Sequence, residues 1–212
     1  MATFNPLTGT LSGKVGNMIY CTRNGKTYAR RQPRRNAGYQ PSPAQQAQQQ
    51  KFTLAAHFTN TLSLLLNKAF RSANPDQTGK NSALSYICKH AITGTAPHLE
   101  LDYPRILISQ GHLPGTPEAS AVPNASGQVQ FHWISTGDSG YAANSDKAVL
   151  ALYCPDLQQS VYDTAAARRE AQTATLDASA FSGHTVHSWL GFVSEDGKLA
   201  ANSVYTGTFL IP

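Results

Sequence analysis

The spacing of apolar residues changes once along this chain, from a helical period to a strand period. Between residues 43 and 72, apolar side chains such as Phe58 and Leu62 recur every three or four positions. This spacing predicts a long helix with a broad buried face, followed by a second helix over 79–92. From about residue 100 the period falls to two, which is typical of strands.

Seven short strands are predicted in the second half of the chain. They cover residues 105–110, 128–135, 147–154, 160–163, 172–177, 185–193 and 202–209. The run over 147–154 is apolar throughout, which indicates a central strand. Strands of this length and spacing predict an antiparallel β-sandwich. The expected fold is therefore α+β, with an arm, a hairpin and helices over 1–98 and a sandwich over 99–212.

The N-terminal region is predicted to contain a β-hairpin. Strands over 15–22 and 27–32 flank Asn24-Gly25, a pair that accepts the positive φ of a tight type I′ turn. Residues 1–12 before it are expected to form an extended arm. Because an isolated hairpin is only marginally stable in water, this one is expected to lie against another part of the chain or a neighbouring molecule.

Charge divides the chain more sharply than hydrophobicity does. The first 75 residues hold ten Lys or Arg and no Asp or Glu, whereas the remainder holds seven bases and twelve acids. A head of +10 and a body of −5 are complementary, which favours head-to-tail contact between copies. The residues predicted to contact an acidic or anionic partner are Lys14, Arg23, Lys26, Arg30, Arg31, Arg34 and Arg35.

The C-terminal part resembles a fibronectin type III or immunoglobulin-like module over roughly residues 100–210. Trp133 ends an early alternating strand, and a late strand over 185–193 runs into a polar turn. The resemblance implies a β-sandwich and no particular activity. The chain departs from the pattern at His187, where such modules often carry a Tyr, and it has no Cys pair that would bridge the sheets.

A second resemblance covers nearly the whole chain. The segments that carry it are Gly13–Asn17, Ala91–Thr95, Ile106–Gly111, Asp146–Leu150 and Phe192–Lys198. In this order they resemble an uncharacterised Bacteroidetes family of proteins of about this length. The resemblance implies the same two-part layout and no established activity.

No catalytic or metal-binding motif stands out in the sequence. The three cysteines show no C-x-x-C spacing, and the seven histidines show no H-E-x-x-H spacing. His184 and His187 lie three apart on a predicted strand, so they are expected to point to opposite faces. Ser139 and its neighbours lack the G-x-S-x-G elbow of serine hydrolases. We therefore expect no enzyme activity, cofactor, metal or small-molecule substrate.

Two functions remain open from the sequence. In the first, the chain is a structural protein that self-assembles as a homo-oligomer into a filament, a tail-like device or a phage-like virion. In the second, the Arg-rich region binds nucleic acid, with Tyr20, Tyr28 and Tyr39 stacking on bases. The chain shows neither a secretion signal nor a membrane-spanning run. We expect synthesis in the cytoplasm, with a virion or an extracellular assembly as the final location under the first hypothesis.

Overall fold

The chain divides into two compact units, Met1–Ser42 and Pro43–Pro212. A computed structural model describes residues 3–5, 10–23, 25–33, 38–71, 76–135 and 140–212, with the backbone alone at residues 3–5, 10 and 23. The helices belong to the same unit as the later strands, whereas the predicted boundary at residues 98 and 99 placed them with the hairpin.

The first unit is a four-stranded antiparallel meander. Its strands are β1 (Thr3–Asn5), β2 (Thr10–Val15), β3 (Met18–Arg23) and β4 (Lys26–Arg31), and each pairs with the next. The predicted hairpin is confirmed, because Arg23 stands opposite Lys26 in the β3–β4 register. Gly25 in the turn has a φ of +76°, which favours glycine. Asn24 lies outside the described residues. Parts of the predicted arm form β1 and β2.

Three helices open the second unit: α1 (Pro43–Thr61), α2 (Ser63–Ala69) and α3 (Gly79–His90). The sequence predicted one helix over 43–72, and this was wrong at Leu62, where φ of −107° and ψ of 18° interrupt it. The hydroxyl of Thr59 donates to the carbonyl of Ala55 at 2.9 Å, and that of Thr61 to Phe58 at 2.8 Å. Such bonds back to the preceding turn favour a bend in a helix.

A β-hairpin and seven further strands follow. The hairpin consists of β5 (Ile92–Thr95) and β6 (His98–Leu101). The other strands are β7 (Ala119–Pro123), β8 (Gln128–Trp133), β9 (Lys147–Cys154), β10 (Gln159–Asp163), β11 (Thr173–Asp177), β12 (Thr185–Val193) and β13 (Val204–Leu210). They form two antiparallel sheets, with orders β10-β9-β12-β13 and β11-β8-β7. The coarse prediction of an α+β fold with a strand-rich C-terminal region is confirmed.

Strand β9 separates two apolar cores, as its unbroken run of apolar residues predicts. Val149, Ala151 and Tyr153 pack with buried residues of the helices. Leu150 and Leu152, on the opposite face, pack with the inner face of the three-stranded sheet. The second unit is therefore layered as helices, four-stranded sheet and three-stranded sheet. Burial of a leucine side chain contributes about 1.5–3 kcal/mol, so this strand stabilises both interfaces.

The predicted strand over 105–110 is wrong. A short 3-10 helix, Tyr103–Arg105, precedes an extended segment in which Ile106 and Ile108 are buried. The amide of Ile108 donates to the side-chain oxygen of Ser203 at 2.9 Å. The segment therefore alternates like a strand, but none of the described strands pairs with it; only Gln110, at its end, forms an isolated bridge, with Phe70. The strand at 119–123 was missed.

Candidate functional site

The structure places five of the seven predicted contact residues on three adjacent strands of the first unit. Lys14 lies in β2, Arg23 in β3, and Lys26, Arg30 and Arg31 in β4. Arg34 and Arg35 lie outside the described residues, as does the side chain of Arg23. The predicted basic linker therefore begins inside a strand, since Arg30 and Arg31 both pair with β3.

The strand register assigns these residues to two faces of the sheet. Lys14 stands opposite Ile19, and Ile19 stands opposite Arg30, so the three side chains share one face. Lys26 lies four residues before Arg30 on the same strand and therefore on that same face. Arg31 points to the other face. We call the first surface the basic face; it comprises Lys14, Ile19, Cys21, Lys26, Tyr28 and Arg30.

The cations of the basic face are exposed and lack acidic partners. Lys14, Lys26 and Arg30 are all exposed. Among the described residues, no carboxylate lies within 4.0 Å of these three cations. Opposed positions on adjacent strands are about 5 Å apart and residues rise about 3.4 Å along a strand, so the patch measures roughly 10 by 13 Å. It presents unpaired positive charge to any anionic partner.

The opposite face of the same sheet carries an apolar patch, which the sequence pattern alone did not predict. Val15 stands opposite Met18, and Tyr20 stands opposite Ala29, so these four side chains share a face. We call these four residues the apolar face; the exposed Arg31 lies beside them, opposite Met18. Val15 is 51% exposed and Met18 37% exposed. Alternation with a period of two is visible in the sequence and assigns alternate residues of each strand to one face. Which residues of β2 and β3 share a face depends on the β2–β3 register, which the sequence does not give.

The first unit has no core in its described part. Every side chain described in residues 11–22, 25–33 and 38–42 is exposed or only half-buried. A sheet of three or more strands becomes stable when an apolar face is covered. Strand β4 is also an edge strand, with all six of its residues exposed. An unpaired edge of this kind can hydrogen-bond to a further strand. The sheet thus presents three surfaces suited to binding a partner.

A half-buried aromatic cluster in the second unit contains several groups with shifted pKa values. The rings of Tyr103 and His187 stack with their centroids 3.7 Å apart, and His187 Nδ1 lies 2.8 Å from the Tyr205 hydroxyl. Burial lowers the pKa of His187 to about 4 and raises the pKa values of Tyr103 and Tyr153. His187 is therefore neutral near pH 7, and the two phenols stay protonated. Each group packs in its neutral form, as in a structural core.

Two adjoining surface depressions lie beside this cluster. One, of about 340 Å³, is lined partly by Tyr103, Tyr153 and Glu100. The other, of about 590 Å³, runs along α1, where three glutamines line it, and it shares Leu54, His57 and Leu99 with the first. Among the described helices, none combines the length and apolar character needed to cross a membrane.

Comparison with known proteins gives one match, and it covers nearly the whole chain. DUF6266, described as a family of unknown function, matches residues 10–207. No curated protein and no solved structure matches the chain. The match includes both β2–β4 of the first unit and the layered second unit.

Proposed function

Because this chain belongs to DUF6266, a family of unknown function, we propose a role from its own surfaces: it is a non-enzymatic structural subunit that self-assembles through its N-terminal sheet. The observation that carries the proposal is a four-stranded sheet whose described side chains are nowhere fully buried. Such a sheet gains stability when a partner covers it. Other copies of the same chain are the partner proposed here, in a filament, a tail-like device or a phage-like virion.

The apolar face supplies the short-range part of the proposed contact. Full burial of a side chain such as Val or Met contributes about 1.5–3 kcal/mol. Val15 and Met18 already lose about half of their exposure, so covering them contributes about 1 kcal/mol each. Main-chain hydrogen bonds along the free edge of β4 add to this and fix the direction of the incoming strand.

The basic face supplies the long-range part. Of the twelve acids in the chain, all lie after residue 75. The side chains of Glu100, Glu118, Asp163, Asp177 and Glu195 are exposed, and their carboxylates form no ion pair among the described residues. Attraction between such carboxylates on one copy and the basic face on the next would speed association and select a head-to-tail register. This component weakens with salt, whereas the apolar component does not.

We also propose that β7–β13 form a fibronectin type III-like module. Lettered in chain order as A, B, C, C′, E, F and G, the seven strands give sheets A-B-E and C′-C-F-G. An immunoglobulin constant domain instead pairs its fourth strand with the A-B-E sheet. His187 of strand F, where a Tyr is common, contacts Tyr205 of strand G. Modules of this architecture serve widely as building blocks of surfaces, which suits a structural subunit.

The test is the mass of the full chain by size-exclusion chromatography with light scattering, at low and high salt. We expect particles much larger than a monomer for the natural chain at low salt. A triple variant, Lys14→Glu, Lys26→Glu and Arg30→Glu, reverses the basic face without touching the apolar face. We expect it to remain monomeric or to assemble far more weakly.

The matched control reverses three exposed lysines of the second unit, with the substitutions Lys68→Glu, Lys89→Glu and Lys198→Glu. Both triple variants change the net charge by the same amount, so a general charge effect would act on both. We expect the control to assemble like the natural chain. A natural chain that is monomeric at every salt concentration would contradict the proposal, and so would equal assembly of the two triple variants.

A nucleic-acid-binding role is the second candidate, and one observation favours it. Tyr28 is 51% exposed and lies on the basic face between Lys26 and Arg30. An aromatic ring between cations suits a single strand, with stacking contributing about 1–3 kcal/mol per base. Tyr20 lies on the apolar face instead. A monomer whose binding to single-stranded DNA is lost in Tyr28→Ala and falls steeply with salt would favour this role.

A further inference from the structure

Three side chains with metal-binding atoms meet at one end of the four-stranded sheet. Cys154 is the last residue of β9, Asp156 follows two positions later, and His184 immediately precedes β12. In the β9–β12 register Tyr153 stands opposite His187, so the end of β9 lies beside the start of β12. Asp156 lies in the turn that follows β9, and from there its carboxylate reaches the imidazole of His184.

The three ligand atoms are close enough to share one ion. The thiol sulfur, a carboxylate oxygen and an imidazole nitrogen all lie within 4.8 Å of one another. His184 Nδ1 and Asp156 Oδ2 are 3.4 Å apart. Bonds of about 2.0–2.3 Å in tetrahedral geometry place zinc ligands about 3.3–3.8 Å from each other. One pair already has this separation, and the third atom needs to move by no more than about 1 Å.

We propose that Cys154, Asp156 and His184 form a zinc-binding site. A thiolate, an imidazole and a carboxylate are the three kinds of ligand that Zn²⁺ takes from proteins, and hard cations such as Mg²⁺ would not accept the sulfur. On binding, the thiol proton is released to solvent and the sulfur bonds to the metal. The exposed Asp156 side leaves the fourth position open to water.

The same residue types also make thiol nucleophiles in hydrolases, but the burial here argues against that use. Cys154 is 0% exposed and packs within the core between the two sheets. A reactive cysteine has to be at least partly accessible to its substrate. A metal ion can approach the site from solvent, because the side chains of Asp156 and His184 are 66% and 37% exposed. A larger substrate could not reach the buried sulfur. The site would join the end of the β9–β10 hairpin to the start of β12.

The test is a zinc titration of the metal-free full-length protein against a chromophoric chelator. We expect one Zn²⁺ per chain and a melting temperature that rises with zinc and returns after chelation. His184→Gln and Asp156→Asn each remove one ligand at an exposed position, so both variants should fold. Each should weaken zinc binding at least about 100-fold, since even changes outside the ligand set cost 10–100-fold.

Matched controls are His132→Gln and Asp163→Asn, which alter an exposed histidine and an exposed aspartate elsewhere in the second unit. They should leave zinc binding unchanged. Co²⁺ bound in place of Zn²⁺ should show thiolate-to-metal charge-transfer absorption that disappears in Cys154→Ser.

Three results would overturn the proposal. The first is the absence of stoichiometric zinc binding, which would reduce the cluster to a polar contact between His184 and Asp156 beside a buried thiol. The second is zinc affinity that is unchanged in His184→Gln and Asp156→Asn. The third is charge-transfer absorption that persists in Cys154→Ser, which would assign the thiolate to Cys21 or Cys88.

Discussion

Replacement of Asp146 by alanine should be among the most destabilising single changes in the second unit. Asp146 is 1% exposed and Arg169 0% exposed, and Arg169 Nε donates to Asp146 Oδ2 at 3.1 Å. The guanidinium also donates to the carbonyls of Pro114 at 2.8 Å and Gly115 at 3.1 Å. It lies 4.0 Å from the centroid of the Phe192 ring. This one cation therefore holds a loop, a strand and a short helix together.

The expected cost follows from what the substitution leaves behind. Removing one partner of a buried ion pair costs about 3–5 kcal/mol, because the other charge stays buried without compensation. Burial lowers the pKa of Arg169 and Asp146 opposes that effect, so the charge is less favourable without the carboxylate. Ala143 N–H, which donates to Asp146 at 3.0 Å, also loses its acceptor. Two carbonyls and a ring still face the guanidinium, so we expect about 3–4 kcal/mol, or about 6–16 °C in melting temperature.

Urea unfolding followed by tryptophan fluorescence measures this loss. Both tryptophans are buried in the second unit, and Trp133 Nε1 donates to the Arg169 carbonyl at 2.8 Å. Arg169→Met should cost a similar amount, and the double variant with Asp146→Ala should cost no more than either single change. Glu170→Ala, in an ion pair whose side chains are 64% and 55% exposed, is the control and should stay within about 0.5 kcal/mol. A loss under about 1 kcal/mol in Asp146→Ala would refute the reasoning.

Two further predictions concern acid stability and close packing. Burial lowers the pKa of His187 to about 4, so the unfolded chain, with an ordinary histidine pKa of about 6.5, binds the proton first as the pH falls. The free energy of unfolding should therefore be highest above about pH 6.5 and fall by about 1–2 kcal/mol by pH 5. Urea midpoints should show that this pH dependence is lost in His187→Gln and kept in His132→Gln. A Cβ on Gly79 would collide with the Leu66 carbonyl oxygen, so Gly79→Ala should cost at least about 1–3 kcal/mol in the same assay. Gly38→Ala, with nothing within 4 Å of the added Cβ, should be neutral. A pH slope that survives in His187→Gln, or equal stability of the two glycine variants, would count against these assignments.

The sequence predicts the strands of the second unit best where a long run of apolar residues is bounded by turn residues. Strands β9 and β12 have the predicted limits, since long apolar runs bounded by turn residues allow few alternatives. The start of α1 at Pro43 is also as predicted. Prediction fails where a tertiary contact decides the conformation. Ile106 and Ile108 alternate as in a strand, yet the Ile108 amide bonds to a serine side chain 95 residues away.

The candidate sites depend on strand register, which pattern alone does not give. The charge asymmetry identifies the basic residues, but only the pairing of Lys14 and Arg30 with Ile19 shows that they share a face. The Cys154, Asp156 and His184 cluster was missed for the same reason. Its members are separated by up to 30 residues and meet only through the register of β9 with β12. His184 lies just before β12, outside the strand in which the prediction placed it with His187, and the two histidines contact Asp156 and Tyr205 respectively.

The central claim is that the N-terminal sheet is held in place by other copies of the chain. Amide hydrogen exchange in β3 and β4, measured over a wide range of protein concentration, tests it most directly. We predict protection in these strands that is low in dilute solution and rises with concentration, while β9 and β12 stay protected throughout. Strong protection of β3 and β4 at every concentration, in a chain that light scattering shows to be monomeric, would contradict the account.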